Sequence, residues 1–438
     1  MTDLLRDAYV LGGNRIPFAR SGGPYAGISN QDLLTAALDG LVARFQLQGE
    51  KLGEIAGGAV LKLASDLNLT RECALGTPLD PRTPAVDMSK ACATGLETVG
   101  HVANRIRLSQ IDSAIACGVD SASDAPIEVT PRLRRILHRA FAAKTAMQRI
   151  QALSAIRPAD LAPQAPANAE ARTGLSMGEH MAQTAAEWGI TREAQDELAL
   201  ASHRNLAAAY ESGLFDDLVT GYRGLARDQN LRPDSSMEKL AGLKPVFGVK
   251  SPQVAEPTMT AGNSTPLSDG ASAVLLGSRE WAEVKGLTPL ARVVDYRSAA
   301  VDFVHGKEGL LMAPAYAVPE MLDANGLALQ DLDYYEIHEA FAATVLATLA
   351  AWESEEFCRE KLGRDKALGA IDRSRLNVHG SSLAAGHPFA ATGGRIVATL
   401  ATVLHQRAQK EGRTVRGLIS ICAAGGQGTV ALLESDGK

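Results

Sequence analysis

The sequence has 438 residues, of which 46% are hydrophobic and 21% are charged, and its net charge at pH 7 is −6. These proportions are typical of a globular protein, and the length fits about three domain-sized units. The acidic balance argues against a protein that coats nucleic acid. No apolar run reaches the ~18–20 residues that span a bilayer, and the N-terminus carries acids where a signal peptide carries bases. We therefore expect a soluble, cytoplasmic protein.

The predicted elements alternate between strands and helices, which indicates an α/β fold. In the first part of the chain, strands are predicted at 9–11, 55–60, 85–88 and 113–117, and helices at 30–45 and from 92 past 106. Ser29 or Asn30 is the predicted cap of the first helix. The segment 121–250 is helical, rich in turns and contains a helix at 191–210 capped by Thr191. Strands then follow at 291–296, 335–337, 417–421 and 429–433, with helices at 339–352 and 393–406.

The cysteines indicate chemistry at one position and core packing at others. The five are Cys73, Cys92, Cys117, Cys358 and Cys422, and no CxxC pair occurs. This pattern argues against a disulfide framework and a zinc ribbon. Cys92 follows a predicted strand and begins a predicted helix, where the helix dipole favours a nucleophilic thiolate with a lowered pKa. The alternative for any isolated cysteine is a small buried hydrophobe, and we expect that role for Cys73, Cys117 and Cys358.

Cys422, His338 and His387 also occupy positions suited to catalysis. Cys422 ends an apolar strand before a glycine-rich turn, whose N–H groups can form an oxyanion hole, although a plain hairpin is the alternative. His387 lies between a glycine and a proline, as a positioned base does, and His338 lies where a strand meets a helix. His338 is not part of an HExxH motif, so no metal is indicated. Two cysteines with two histidines suggest a nucleophile and an acid/base for carbon–carbon chemistry on a thioester.

Several segments, in the expected order over essentially the whole chain, resemble the thiolases, the acyl-CoA:acetyl-CoA C-acyltransferases. The segments are RIPF at 15–18, ACATG at 91–95, GVDSAS at 118–123, MG at 177–178, TAGNST at 260–265 with DGA at 269–271, HEAF at 338–341, GHP at 386–388 and CAAGGQG at 422–428. His338 stands where many short-chain thiolases have Asn. HEAF, the segments 123–127 and 161–163 and the CAAGGQG run resemble the β subunit of the trifunctional fatty-acid oxidation enzymes.

The resemblance implies two similar α/β halves, each with a five-stranded mixed sheet, in a five-layer αβαβα body. It divides the chain into 1–120 and 251–284 for the N-terminal half, 121–250 for a mainly helical loop domain over the active site, and 285–438 for the C-terminal half. It also implies at least a homodimer and an α2β2 complex with a hydratase/dehydrogenase α subunit. Coenzyme A is a substrate, and no prosthetic group or metal is implied.

The same resemblance assigns catalytic roles. Cys92 attacks the 3-ketoacyl carbonyl and takes the acyl group, and His387 activates Cys92 and helps to bind the thioester oxygen. His338 helps to hold a water in that first oxyanion hole. Cys422 protonates the departing acetyl-CoA carbanion, or deprotonates acetyl-CoA in the reverse direction. The backbone N–H groups of Cys92 and Ala424 form the second oxyanion hole.

Further positions match CoA contacts of the family: Met177, Arg232, Ala261, Thr265 and Ala340. Arg232 would meet a phosphate or the adenine end, and a solvated loop arginine is its alternative role. The chain departs from the family at 264–266, at 379–381 and at 389–392, where a glycine near His387 is lost. These departures affect acyl-chain preference more than chemistry, because all four reacting side chains are present.

The leading function is thiolytic cleavage of 3-ketoacyl-CoA in fatty-acid β-oxidation. One alternative is acetoacetyl-CoA synthesis, the same chemistry in the condensing direction. A ketoacyl synthase uses one cysteine with two histidines, so Cys422 argues against it. A catalytically silent scaffold subunit is a further alternative, and the retained reacting residues argue against that.

The segment 131–158 carries seven Lys or Arg residues and no acid, with apolar residues at near-helical spacing. This basic amphipathic pattern is typical of a helix that touches a membrane surface, the α subunit or the acyl-chain entrance. The favoured alternative is an ordinary helix that packs on the protein and solvates its basic face.

Overall fold

The computed structural model describes residues 5–306 and 308–438. The strands are β1 (Tyr9–Arg15), β2 (Ala19–Arg20), β3 (Glu54–Gly57), β4 (Ala85–Asp87), β5 (Ser113–Ser121), β6 (Ser268–Gly277), β7 (Ala291–Ala300), β8 (Tyr334–Ile337), β9 (Val415–Ala423) and β10 (Gln427–Ser435). The helices are α1 (Asn30–Arg44), α2 (Leu69–Leu75), α3 (Thr94–Arg107), α4 (Pro131–Ala142), α5 (Ala146–Leu153), α6 (Met177–Glu187), α7 (Arg192–Glu211), α8 (Met237–Ala241), α9 (Arg279–Lys285), α10 (Ala313–Ala324), α11 (Ala342–Glu353), α12 (Glu355–Leu362), α13 (Ser382–Ala385) and α14 (Ala391–Glu411). Within the described ranges, no helix is long and apolar enough to cross a membrane.

The strands follow the order β4-β3-β5-β6-β1-β7-β10-β9-β8, with β2 beside β6. β3 is parallel to β4 and β5, β8 is parallel to β9, and the remaining pairs are antiparallel. The two halves of the sheet meet at β1 and β7, which pair only through Tyr9 with Arg292 and Val10 with Ala291. The mixed sheet is therefore two units joined by a short contact.

The C-terminal half differs from the predicted five strands. The described residues form four strands there, β7 to β10, and the fifth position holds a single parallel bridge between Leu376 and Tyr335. The chain turns immediately afterwards, because Asn377 adopts a φ of 45°. A left-handed residue ends an extended segment, so no further ladder forms.

The layers agree with the prediction from the resemblance. α1 and α2 pack on the outer face of the N-terminal half, and α10 packs on β7, β9 and β10 of the C-terminal half. α3 and α14 lie between the halves, since α14 contacts β1, β5 and β6 as well as β9 and β10. The five-layer αβαβα architecture is thus confirmed, and its central layer consists of the two helices that follow the active-site loops.

The predicted caps of two helices are confirmed. The Ser29 side chain accepts the Asp32 amide while the Asp32 carboxylate interacts with Ser29 in return, a capping box that starts α1. The Thr191 hydroxyl caps α7 by accepting the Ala194 amide. Cys73, Cys117 and Cys358 are buried, as predicted for core cysteines.

Two predicted boundaries were wrong, each because a side chain or a loop competes for the backbone. The strand predicted to reach residue 60 ends at Gly57, since the amides of Val60 and Leu61 donate to Asp120 instead. The helix predicted from 339 begins at Ala342, because 340–341 pair with 264–265. The helix that was predicted to start near Cys92 begins at Thr94, which confirms that prediction.

The segment between β5 and β6 connects two antiparallel neighbours of one sheet and contains α4 to α8. Its first part is a helical hairpin, α4 and α5, closed at the base by a bridge between Glu128 and Gln164 and by an ion pair of Arg132 with Asp160. We call residues 128–164 the basic hairpin.

The expectation that the basic segment packs its apolar face holds for α4, which buries Leu133, Ile136 and Ala140, and fails for α5. The segment folds into two short helices, and α5 buries none of its residues. Ile136 in α4 is 1% exposed, but Phe141 is 80%, Met147 73% and Ile150 62% exposed. The two short helices pack against each other and cover only part of their apolar side chains. The remaining apolar side chains face solvent.

Candidate active site

Cys92 lies in a tight turn between β4 and α3. The preceding Ala91 has a φ of 45°, which is rare for a residue with a side chain. The Thr94 hydroxyl stabilises this turn, because it donates to the Ala91 carbonyl at 2.7 Å and accepts the Lys90 amide at 2.8 Å. Backbone strain of this kind is concentrated at functional sites. The turn presents Cys92, which is only partly buried, two residues before α3.

The Cys92 thiol is protonated in the free protein. Burial raises its pKa to about 12, and a hydrogen bond from the Ala424 N–H to the sulfur opposes this change without cancelling it. The Asp120 carboxylate raises the pKa further. The predicted lowering of this pKa is therefore wrong, because the loss of hydration outweighs the dipole of α3.

Cys422 lies near the end of β9, directly before the turn into β10. Gly425 and Gly426 have φ angles of 79° and 70°, which permit this tight turn. The turn brings the Ala424 N–H to the sulfur of Cys92. Cys422 is buried, and its burial and the nearby Cys92 raise the pKa of its thiol. Both predicted cysteines and the Ala424 amide thus lie in one site.

His338 and His387 lie against each other, with ring centroids 4.2 Å apart and an angle of 48° between the ring planes. Both residues are buried. The Nδ1 atom of His338 is 2.9 Å from the Ser382 hydroxyl, and Nδ1 of His387 is 2.7 Å from the Thr392 hydroxyl. Among the described residues, neither Nε2 atom has a hydrogen-bond partner. A substrate can therefore engage both Nε2 atoms.

Both imidazoles are neutral in the free protein. Burial lowers the pKa of His387 to about 3, and the pKa of His338 falls well below its usual range. The guanidinium of Arg395 lowers both further, and His387 also lowers that of His338. A neutral imidazole has one donor and one acceptor nitrogen, so each ring can serve as a base or as a hydrogen-bond donor.

Glycines let the loops that carry Cys92 and His387 come together. α3 follows Cys92 and α14 follows His387, and the two helices touch near their N-termini. A Cβ atom on Gly95 would lie 2.5 Å from the Ala390 carbonyl oxygen, and one on Gly393 would lie 2.2 Å from the Leu96 nitrogen. This close backbone contact is available only to glycine.

Asp120 connects these loops, and the sequence did not identify it as a site residue. It lies in β5, and its carboxylate accepts the amides of Val60 at 2.9 Å, Leu61 at 2.7 Å and Ala390 at 2.9 Å. Burial raises the pKa of Asp120 to about 7 despite these three hydrogen bonds. The carboxylate therefore holds the segment after His387 against β5.

Asn377 and Glu339, also missed, hold the backbone beside His338. The Asn377 side chain accepts from the Ile337 amide at 2.9 Å, donates to the Ile337 carbonyl at 2.9 Å and donates to Glu339 at 2.8 Å. The Glu339 carboxylate also accepts from the Ser202 hydroxyl at 2.7 Å and the Leu383 amide at 3.1 Å.

The predicted CoA contacts fall into two groups. Arg232 and Ala261 line one cavity of 320 Å³, together with Arg20, His203 and Lys239. This cavity is basic, and it suits a phosphate-bearing ligand. The Arg232 backbone amide donates to Nδ1 of His203 at 3.2 Å, which fixes the loop that carries the arginine.

The other three predicted contacts lie nearer the reacting groups. Thr265 donates from both its amide and its hydroxyl to the Ala340 carbonyl, at 3.1 and 3.0 Å. Ala340, Met177 and Cys422 belong to one apolar cluster. The Thr265 hydroxyl therefore closes a loop contact with Ala340 in the free protein.

Comparison with known proteins identifies the family. Residues 8–280 match the family model described as the thiolase N-terminal domain, and residues 287–435 match the thiolase C-terminal domain. The chain belongs to the thiolase family. A 3-ketoacyl-CoA thiolase of Pectobacterium atrosepticum is 41% identical over 435 residues, which cover 98% of this chain and 96% of that protein.

Solved thiolase structures have the same fold. An acetyl-CoA acetyltransferase of Bacillus anthracis superposes with a TM-score of 0.79 at 28% identity and covers 98% of this thiolase and 99% of its own chain. The human mitochondrial 3-ketoacyl-CoA thiolase in complex with CoA superposes with a TM-score of 0.78 at 25% identity, covering 99% and 98% of the two chains. The resemblance stated from the motifs is confirmed.

Proposed function

We propose that this thiolase cleaves 3-ketoacyl-CoA with CoA, giving acyl-CoA and acetyl-CoA, in fatty-acid β-oxidation. The observation that carries the proposal is that Cys92, the Ala424 amide and Cys422 lie together, and that backbone contacts at Gly95 and Gly393 hold the loop of His387, whose ring pairs with His338, against the Cys92 loop. The relative that is 41% identical over nearly the full length bears the name of this activity. The arrangement supplies a nucleophile, a second thiol and donors for two oxyanions, which this cleavage requires.

The first half-reaction transfers the acyl group to the enzyme. The Cys92 sulfur attacks C3 of the 3-ketoacyl-CoA while its proton passes to Nε2 of His387. The C2–C3 bond then breaks, and its electron pair leaves on C2 as the enolate of acetyl-CoA. His338 and His387 bind the thioester oxygen on which that charge develops, with a water held by His338. The Cys422 thiol protonates C2, which releases acetyl-CoA and leaves acyl-Cys92.

The second half-reaction regenerates the enzyme. The Cys422 thiolate takes the proton of CoA, and the CoA sulfur attacks the acyl-Cys92 carbonyl. The backbone N–H groups of Cys92 and Ala424 stabilise the tetrahedral oxyanion. Acyl-CoA leaves, and the Cys92 sulfur recovers its proton from His387. The kinetics are therefore ping-pong.

The test is an assay of the purified chain with CoA and 3-ketoacyl-CoA esters of increasing length, followed by the loss of the 3-keto thioester absorbance. We expect cleavage by the wild type and none by Cys92→Ala. Preferential cleavage of long esters supports the degradative role, whereas activity on acetoacetyl-CoA alone supports the condensing alternative. Absence of cleavage at every length, with and without a hydratase/dehydrogenase subunit, would favour the silent scaffold.

We infer that CoA lies with its phosphates in the basic cavity of Arg232 and Ala261 and with its pantetheine chain along Thr265, Ala340 and Met177. Arg20 and Arg232 in the lining of that cavity support this path, as does the packing of Met177 against the apolar cluster that contains Ala340 and Cys422. Residues 121–250 then act as a loop domain over the site. They are inserted between 1–120 and 251–284, which form the N-terminal half, and 285–438 form the C-terminal half.

We propose a homodimer as the smallest assembly. β4, which leads to Cys92, is the outermost strand of the sheet, and its residues are only half-buried. No strand among the described residues pairs with its outer edge, where the Asn68 side chain donates to the Ala85 carbonyl, and such an edge favours pairing with a second copy. We also propose an α2β2 complex with a hydratase/dehydrogenase subunit, which rests on the resemblance. The proposal of a cytoplasmic location is supported by the cysteines, which are all free.

We propose that the basic hairpin makes a weak contact with an anionic membrane surface. The exposed Phe141, Met147 and Ile150 lie among the basic residues of 131–158. Apolar side chains flanked by cations suit the boundary between lipid headgroups and acyl chains.

A further inference from the structure

A buried hydrogen-bond chain leads from Arg395 to His338 outside the groups that react with substrate. The Nη2 atom of Arg395 donates to the Ser382 hydroxyl at 3.0 Å, and that hydroxyl lies 2.9 Å from Nδ1 of His338. Arg395, Ser382 and His338 are all buried. Arg395 also donates to the Ser381 hydroxyl at 3.2 Å.

The chemistry of these groups fixes where the hydrogens lie. A guanidinium only donates, so the Ser382 oxygen must accept from Arg395. The serine has one hydrogen of its own, and among the described residues the remaining partner of its oxygen is Nδ1 of His338. If the oxygen also accepted from Nδ1–H, the hydrogen of the hydroxyl would have no partner among the described residues, so we assign the hydroxyl as the donor to Nδ1. In a neutral imidazole the proton then resides on Nε2.

We propose that Ser382, oriented by Arg395, is a positioning residue that fixes the tautomer of His338, so that His338 presents Nε2–H to the substrate oxygen or to its bridging water. This assignment rests on the role proposed above for His338. The Nε2 atom of His338 has no partner within the described residues, so its hydrogen is free for the ligand.

His387 has a different arrangement, which gives the two histidines different tasks. Its Nδ1 contacts the Thr392 hydroxyl, to which no arginine donates among the described contacts. Thr392 can therefore accept from Nδ1–H, and Nε2 of His387 is then free to accept the Cys92 proton. The guanidinium also disfavours an imidazolium at either ring, as the lowered pKa values of both histidines reflect.

The test compares Ser382→Ala with its neighbour Ser381→Ala. Both changes remove one buried hydroxyl that accepts from the same arginine, but only Ser382 contacts a histidine. We expect kcat of Ser382→Ala to fall about 10- to 100-fold with KM nearly unchanged. Without Ser382, the Nε2–H of His338 is no longer held in the orientation that stabilises the transition state. Ser381→Ala should retain kcat within about threefold, and matched melting temperatures will show that both proteins fold.

A double-mutant cycle separates positioning from a merely structural role. If Ser382 acts through His338, Ser382→Ala should cost nothing further in a His338→Ala background. ¹⁵N NMR of labelled histidines, with His338→Ala used to assign the signal, should show Nδ1 of His338 unprotonated and Nε2 protonated. An equal loss of kcat in both backgrounds, or a protonated Nδ1 in the wild type, would overturn the proposal.

The two readouts also distinguish this proposal from the role of His338 itself. Full activity of His338→Ala would refute the proposed role of His338 in the first oxyanion hole. The NMR signal would still report whether Ser382 sets the tautomer, since it does not depend on turnover.

Discussion

Burial moves the pKa values of Cys92 and His387 in opposite directions for one physical reason. Loss of hydration disfavours the charged form of each group, so the pKa of the thiol rises to about 12 and that of the imidazole falls to about 3. The free enzyme therefore holds a neutral thiol beside neutral imidazoles at physiological pH. Cys92 must therefore give up its proton for the attack on the substrate, and His387 is the proposed acceptor.

This arrangement predicts how fast iodoacetamide alkylates Cys92 as the pH changes. Because burial raises the pKa of the thiol well above 9, only a small fraction is ionised from pH 6 to 9, and each pH unit multiplies that fraction by about ten. We expect the logarithm of the rate to rise with a slope near one from pH 6 to 9. His387 titrates below this range and adds no inflection.

The alkylation rate is measured by mass spectrometry of the peptide that contains Cys92, with the Cys92→Ala protein as control for other cysteines. A rate that is flat from pH 6 to 9 would contradict the prediction. It would show that the resting site holds a thiolate–imidazolium pair.

Residues that react could be found from the sequence, whereas residues that position them could not. Cys92, His338, His387 and Cys422 each stand beside a glycine-rich turn or at a strand end, and local patterns reveal such places. Ser382 and Arg395 matter only because the fold brings them beside His338, 44 and 57 positions away in the chain. No local pattern encodes that proximity. The expected thiol pKa failed for the same reason, since burial is a property of the assembled site.

At the scale of helices, the contact between α3 and α14 sets the distance between the nucleophile loop and the His387 loop. Gly393 stands inside α14, where alanine would ordinarily stabilise a helix by ~1 kcal/mol relative to glycine. Here a Cβ would lie 2.2 Å from the Leu96 nitrogen and 2.6 Å from the Gly95 carbonyl carbon. Both atoms are backbone, so neither can move aside as a side chain does.

Gly393→Ala should therefore destabilise the protein, although replacing glycine by alanine inside a helix ordinarily stabilises it. We expect the free energy of unfolding to fall by about 1–3 kcal/mol, as for other overpacked positions, and kcat to fall with it as the two loops separate. Denaturant unfolding and the thiolysis assay measure the two effects. Gly242→Ala is the matched control, because its Cβ would meet no atom closer than 3.6 Å. Unchanged stability of Gly393→Ala would show that the helices can part without cost.

The basic hairpin shows how far periodicity can predict an element. The spacing of apolar residues predicted helix correctly, but it could not tell which neighbours, if any, cover the apolar face. In α4 the side chain of Ile136 is 1% exposed and that of Phe141 is 80% exposed. Arg134, Arg135 and Arg139 are exposed on the same helix.

Two substitutions in α4 should separate the packing role from the surface role. Ile136→Ser should expose the α4 amides to hydrogen exchange, because it removes a buried side chain whose loss costs about 2–5 kcal/mol. Phe141→Ser should leave exchange unchanged and weaken binding to vesicles that contain anionic lipid. Reversing the charges of the three exposed arginines should reduce that binding at least tenfold. If the wild type does not bind such vesicles, the membrane contact is wrong, and the α subunit becomes the candidate partner.

At the scale of the molecule, the alternation of strands and helices predicted an α/β fold, and the resemblance to the thiolases supplied the five layers. Neither could give the strand count of the C-terminal half, because the position of Leu376 depends on a turn that Asn377 makes with a distant strand. The same sheet order leaves β4 at its edge, one turn before Cys92. A second copy that pairs with that edge would therefore affect the position of the turn that holds Cys92.

The dimer proposal predicts that a proline at the edge of β4 dissociates the protein and lowers its activity. The Ile55 amide donates to the Pro84 carbonyl and the Met88 amide donates to the Gly57 carbonyl, so Val86 faces β3 and the Ala85 amide faces outward. Ala85→Pro removes that outward donor and leaves the inward ladder in place. Light scattering should give twice the chain mass of 46.1 kDa for the wild type and one chain mass for the variant. The variant should lose kcat as well, because β4 leads directly into the turn that holds Cys92. A wild type that is monomeric at micromolar concentration, or a folded variant that remains a dimer, would refute pairing through β4.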